Sequence, residues 1–175
     1  MAANDAQQRE LSELIELPPC GSLCEVGYGP GVLLRWLRAR FPDATFSGVD
    51  PSTVMLRQAL RANAGARMDL RTAAVGDLPF DDHTFDLTVS ANTIQFWPNL
   101  TAGLREIRRV TRPGGQVLIA WHGGTAPTRI QRRLVLDPSE LTNLASAVRE
   151  HIGKVERIQL SQSELFSAVV GDEGC

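Results

Sequence analysis

Apolar positions along the chain follow two rhythms. Short apolar runs at 22–26, 45–49, 85–90 and 116–121 read as buried strands. The segment 67–72 alternates instead, with Met68, Leu70 and Thr72 on one side, and reads as a strand with one covered face. Between these runs, apolar residues return at helical spacing. Leu33, Leu34 and Leu37 mark a helix over 32–41, which ends at the turn Phe41-Pro42-Asp43. Met55, Leu56, Ala59 and Leu60 mark the buried face of a helix over 53–62, with Ser52 as its N-cap. Leu100, Leu104 and Ile107 mark a third over 99–110. An earlier helix over 6–17 carries Leu11, Leu14 and Ile15 and is stopped by Pro18-Pro19. It caps the site as a lid or packs on the sheet edge. Leu78 to Asp82 is a loop, and Pro113-Gly114-Gly115 is a turn. Asp137-Pro138-Ser139-Glu140 starts a further helix, with Asp as cap, Pro at the first helical position and Glu three residues after the cap. That helix runs to about Ile152 and buries Leu141, Leu144, Ala145 and Val148. Two strands, 155–160 and 165–170, follow closely enough to pair antiparallel.

Strand and helix alternate from 22 to 121, which predicts an α/β fold with a parallel sheet wrapped by helices. Ligands of such sheets lie beyond the carboxyl ends of the strands, at a topological switch point. Gly27, Asp50, the segment 73–75 and the segment 90–92 all fall just past strand ends and should converge on one crevice.

Composition narrows the class. At 175 residues the chain reads as one domain: a lead-in over 1–21, a core over 22–121 and a C-terminal helix and strand pair over 122–175. With 43% hydrophobic and 22% charged residues it is an ordinary globular composition. A net charge of −2 gives no basic field for nucleic acid or an anionic membrane. No apolar run approaches the ~20 residues of a membrane helix, and MAANDAQQRE has no signal-peptide pattern. A cytoplasmic location is expected. Cys20, Cys24 and Cys175 form neither a metal-ligand pattern nor a disulfide framework, so reduced thiols and no metal are expected.

The chemistry concentrates at Cys24–Leu34, CEVGYGPGVLL. Gly27, Gly29 and Gly31 leave the backbone bare between a strand and a helix N-terminus, which suits a nucleotide-like ligand. Asp50 stands 23 residues after Gly27, close to the ~20 at which a dinucleotide fold places its ribose-binding acid. The pattern G-Y-G-P-G departs from G-x-G-x-x-G, which argues against a nicotinamide cofactor.

Glu25–Gly31, Gly48-Val49-Asp50-Pro51-Ser52 with Met55-Leu56, Leu78-Pro79-Phe80 with Phe85-Asp86, and Arg105-Glu106-Ile107 through Pro113-Gly114-Gly115 together resemble the class I S-adenosylmethionine-dependent methyltransferases. The resemblance covers about 23–121 and continues faintly to 170. It implies a Rossmann-like, doubly wound seven-stranded sheet of order 3-2-1-4-5-7-6 with the last strand antiparallel. It also implies S-adenosylmethionine as cofactor, S-adenosylhomocysteine as product and a small-molecule methyl acceptor. By the same resemblance, the backbone around Gly27 and Gly29 would approach the methionine part of the cofactor, Tyr28 and Gly31 belong to the same cofactor-binding loop, and Glu25 fixes the loop or the amino group. Asp50 would hold the ribose hydroxyls and Pro51 lie on the adenine. The family often carries an acid where this chain has Ala74, so the adenine contact would be lost or fall to the backbone of Val75. Ser90 and Asn92 border the same site, and Tyr28 stacks near the methyl group or narrows the crevice.

Sulfonium is a good leaving group, so the enzyme mainly aligns a nucleophile and excludes water. His122, just past the fifth strand, is the candidate general base, ahead of His83; His151 reads as a surface residue. Phe96 and Trp97 line an apolar substrate pocket or pack in the core. Ser90-Ala91-Asn92-Thr93 stands where methyltransferases of planar base amines carry Asn-Pro-Pro-Tyr, which argues against such substrates. Arg105, Arg108, Arg109 and Arg112 form a stripe that reads as a solvated face or meets an acidic partner. The segments that usually build the substrate cover are short, so the site is open or completed by a second subunit of a homodimer. The alternative function is a degenerate cofactor-binding or assembly module.

Overall fold

A computed structural model describes residues 2–171 except 128, 130 and 134; Cys175 lies outside the described residues. Among the described residues five α-helices and seven strands follow in order: α1 (Ala2–Leu14), β1 (Ser22–Val26), α2 (Val32–Arg40), β2 (Thr45–Val49), α3 (Thr53–Ala62), β3 (Met68–Arg71), β4 (Phe85–Ala91), α4 (Leu100–Val110), β5 (Thr111–His122), α5 (Pro138–His151), β6 (Val155–Gln159) and β7 (Ser163–Val169). The strands form one sheet of order β3-β2-β1-β4-β5-β7-β6. β3, β2, β1, β4 and β5 pair parallel, and β7 runs antiparallel to both β5 and β6. The doubly wound, Rossmann-like α/β architecture is the one the motifs imply, with the switch point between β1 and β4.

Each sheet face buries one cluster. Leu11 of α1 and Ile15 just past its end pack with Leu33, Leu34 and Leu37 of α2 over Leu23, Leu87, Val89 and Leu118. On the other face Leu104 and Ile107 of α4 pack with Leu144 and Val148 of α5 over Cys24, Val117, Ile119 and Phe166. β4 is buried along nearly its whole length, although Asp86, Thr88 and Ser90 alternate with its apolar residues, because helices cover both faces of the sheet. The same burial pushes the Cys24 thiol up, leaving it inert.

The helix ends form as the caps dictate. Asp137 accepts from the N–H groups of Ser139 and Glu140 while Glu140 reaches back to the Asp137 N–H, a complete capping box. Ser52 and Asn99 cap α3 and α4 by accepting from Met55 N and Ala102 N. α1 ends at Leu14, before the expected Leu17, because the chain must extend ahead of Pro18.

Three expectations change. α3 buries only Ala59: Leu60 is 52% exposed, and Met55 and Leu56 are half-buried. The helix flanks the edge of the sheet, where β3 itself is at most half-buried. Pro113-Gly114-Gly115 is an irregularity inside β5 rather than a separate turn. Register jumps from Phe85↔Thr111 to Leu87↔Gln116, and Gly114 N and Gly115 O are bonded to Val170. Three arginines of the stripe are clasps, while Arg105 stays exposed. Arg109 binds Glu106, Asp82 and the carbonyls of Leu78 and Phe80. Arg108 donates to Ile152 O and Gly171 O, and Arg112 pairs with Asp86.

Candidate functional site

β1 delivers the chain to Val26, and the loop that follows is stitched to its neighbour. The N–H groups of Gly27 and Tyr28 both donate to Val49 O at the end of β2, at 2.7 and 3.3 Å. Gly27, Gly29 and Gly31 all take positive φ, a region only glycine enters freely. Asp50, 8% exposed, then fixes the loop's far side: Oδ2 accepts from Gly29 N and Oδ1 from Ser52 N, each at 2.9 Å. Each carboxylate oxygen has a further lone pair, so Asp50 can still accept from two vicinal hydroxyls.

The loop borders a cavity of about 420 Å³, within the usual range for small-ligand sites. Glu25, Gly27, Tyr28, Gly29, Asp50, Pro51, Ala74, Val75, Asn92, Phe96 and Trp97 line it, so one crevice gathers most of the candidate residues. A Cβ built on Gly29 meets nothing within 4 Å, whereas one on Gly27 would collide with the Thr93 side chain at 2.3 Å. Glu25 is buried with Oε2 unpartnered. Burial, then the Asp50 charge, push its carboxyl well above the usual range, against the Leu34 N–H that holds it down. Tyr28 forms wall rather than lid. Its hydroxyl donates to Arg71 O at 3.2 Å, and burial with the Asp50 charge pushes it up to about 12.

Three candidates lie off the cavity wall. Gly31 starts α2 with φ +75, and a Cβ there would strike Asn63 and Ala59; the glycine admits the close approach of α3. Ser90 is buried and donates to Val26 O at 2.9 Å. It also meets Thr93 Oγ1 at 2.5 Å, and that oxygen accepts from Trp97 Nε1, so a short relay locks the end of β4 to the wall. His122 is buried at the end of β5. His83 borders a separate hollow of about 180 Å³ beside Arg105, Arg108 and Arg109. His151 lies in the last turn of α5.

The sequence reading missed Gln8, Thr93 and Met55, which also line the cavity. Gln8 comes from α1, whose apolar stripe carries no mark of the polar residues beside it. The phase of that stripe was the only signal: Gln8 precedes buried Leu11 by one turn.

Comparison with known proteins agrees with this geometry. Residues 24–119 match the family model described as a methyltransferase domain. The chain is 36% identical over 100 residues to a demethylmenaquinone methyltransferase of Roseiflexus castenholzii, covering 57% of this chain and 42% of that one. It is 39% identical over 104 residues to a malonyl-[acyl-carrier protein] O-methyltransferase of Geobacter sulfurreducens, covering 58% and 38%. The chain thus spans about half or less of the length of such relatives. A solved structure from Methanococcus maripaludis, named provisionally as an S-adenosyl-L-methionine-dependent methyltransferase, superposes with a TM-score of 0.78 at 21% identity, covering 99% of this chain and 87% of that one. With the bare glycine loop, the acid closing β2 and this sheet order, the chain belongs to the methyltransferase domain family, the class I S-adenosylmethionine-dependent methyltransferases.

Proposed function

We propose that the protein transfers a methyl group from S-adenosylmethionine to a small-molecule acceptor. The observation that carries this reading is the cradle of Glu25, Gly27–Gly29 and Asp50 on one cavity. Its parts fit the cofactor. A buried carboxylate oxygen without a partner awaits a cationic amine, open space stands over Gly29, and Asp50 keeps lone pairs for a ribose. S-adenosylmethionine supplies an electrophilic methyl group and leaves as the neutral thioether.

In this reading Asp50 holds the two ribose hydroxyls, and Pro51 and Met55 flank the adenine. The backbone at Ala74 and Val75 meets the adenine edge, because no acid stands at Ala74. Gly27 and Gly29 let the methionine part lie on the main chain. Phe96, 75% exposed, and Trp97 form the mouth through which an acceptor enters. The protein's contribution is alignment and exclusion of water, not a nucleophile of its own. His122, the candidate base, lies off the cavity wall, so this reading assigns it no proton transfer.

Incubation with S-adenosylmethionine and a panel of neutral, acidic and amine acceptors, read by mass spectrometry, tests the reading. It expects a methylated product with matching S-adenosylhomocysteine. Cofactor binding with no product on any acceptor would favour a binding module instead.

A further inference from the structure

The cavity wall divides along the sheet, because β2 and β3 lie on one side of β1 and β4 lies on the other. Pro51, Met55 and Ala73–Val75, which follow β2 and β3 in the chain, line one side. Thr93, Phe96, Trp97 and Pro98, which follow β4, line the other. A Cβ added at Gly27 would lie 2.3 Å from Thr93 Cγ2, so the segment after β4 stands directly beside the bare glycine loop. In the methyl-transfer reading that loop carries the methionine part of the cofactor. The segment 93–98 is then the wall beside the methyl group.

Its two aromatic rings are held differently. Trp97 is fixed. Its Nε1 donates to Thr93 Oγ1 at 3.1 Å, and a Cβ added at Gly103 of α4 would meet its ring at 2.9 Å, beside Val75. Thr93 is tied in turn to Ser90 Oγ at 2.5 Å. Phe96, one residue earlier, ends the short 3-10 turn Ile94–Phe96 and is 75% exposed, more than any other large apolar residue among those described. An aromatic ring left in water at the rim of a ligand cavity gains by covering an apolar ligand.

Charge on the wall has one sign. Glu25 and Asp50 line the cavity, and among the described residues no Lys, Arg or His does. The loop amides that could hold an anion are already taken. Gly27 N and Tyr28 N donate to Val49 O, Gly29 N to Asp50 and Gly31 N to Tyr28 O. An anionic acceptor would lose its hydration and find no cation or free loop amide in exchange. We propose that the acceptor is an uncharged, mainly apolar molecule, with Trp97 as the fixed floor of its site and Phe96 as the ring that covers it. The word acceptor rests on the methyl-transfer reading; the apolar site does not.

The test is indole N–H NMR of the full chain, free and loaded with S-adenosylhomocysteine, with the Trp97 signal assigned through Trp97→Phe. The probes are n-octanol and octanoate, which share a tail length and differ in charge. Octanol should shift the Trp97 signal of the loaded protein saturably, and octanoate at neutral pH should bind at least about tenfold more weakly. Phe96→Ala should weaken octanol binding about tenfold or more, the low end of what burying a phenylalanine ring contributes. Its calorimetric affinity for S-adenosylhomocysteine should match that of the wild type. Equal binding of the two probes, no octanol response, or octanol affinity that survives Phe96→Ala would overturn the proposal. Loss of S-adenosylhomocysteine affinity in Phe96→Ala would place the ring on the cofactor and overturn it as well. Binding of S-adenosylhomocysteine with a silent Trp97 rejects this site alone. An octanol response in a wild type that takes up no S-adenosylhomocysteine rejects methyl transfer and keeps the apolar site.

Discussion

Asp50 is both strut and ligand group: its two oxygens hold Gly29 N and Ser52 N while keeping lone pairs for a ribose. Asp50→Ala should weaken cofactor binding by about 1.5–3 kcal/mol, the scale of a hydrogen bond to a charged group, as read by calorimetry. Glu25 makes a pH-dependent prediction. Its carboxyl is raised well above the ordinary 4.5 in the folded chain, mainly by burial. Below that value both folded and unfolded chains hold the proton. As pH rises past it the unfolded chain ionises first, so the wild type loses stability relative to Glu25→Gln until the folded-state value is passed. Melting curves of the two proteins from acid to neutral pH should therefore diverge in favour of the variant. Spacing made Glu25, Asp50 and the glycines legible in the sequence, because backbone exposure is a local property. Gly31 and Ser90 carry the same local marks. Their jobs, admitting α3 and locking Thr93, depend on neighbours that spacing does not reveal.

At the scale of elements, α1 joins packing to the site. Leu11 buries in the core cluster while Gln8, one turn earlier on the helix, lines the cavity, so the helix covers the sheet and borders the crevice at once. Leu11→Ala should cost about 2–5 kcal/mol of stability, the range for large-to-small core changes. It should also speed hydrogen exchange along α1 more than along α5. Equal acceleration in both helices would show that α1 does not open separately. Strand boundaries were readable where apolar residues cluster between turn and helix signals, as in β1 and β2, and to within one residue in β4. β7 begins two residues before the expected Leu165 because Ser163 and Glu164, though polar, are buried by pairing with His122 and Trp121. α3 shows the reverse: its apolar stripe promises a buried face, but the edge of the sheet offers too little surface to bury it.

Over the whole molecule, the sheet order places the ends of β1, β2 and β4 around one crevice, and residues far apart in the chain meet there. The alternation of strands and helices made a parallel sheet readable, and the strand order followed only from the family resemblance. The internal clasps were not readable, since an arginine's partner is set by topology rather than by its own helix. Arg109, for example, ties the loop at Leu78–Asp82 to α4, and its two carboxylate partners hold it firmly charged. The central claim is that the bare main chain after β1 and the acid after β2 hold the adenosyl cofactor. Titration calorimetry with S-adenosylhomocysteine tests it most directly, on the wild type and on Gly29→Val, with circular dichroism confirming that the variant is folded. The account predicts one equivalent bound by the wild type and no measurable binding by the variant, whose side chain enters the open space above the loop. No heat from the wild type, or equal affinity in the folded variant, would contradict it.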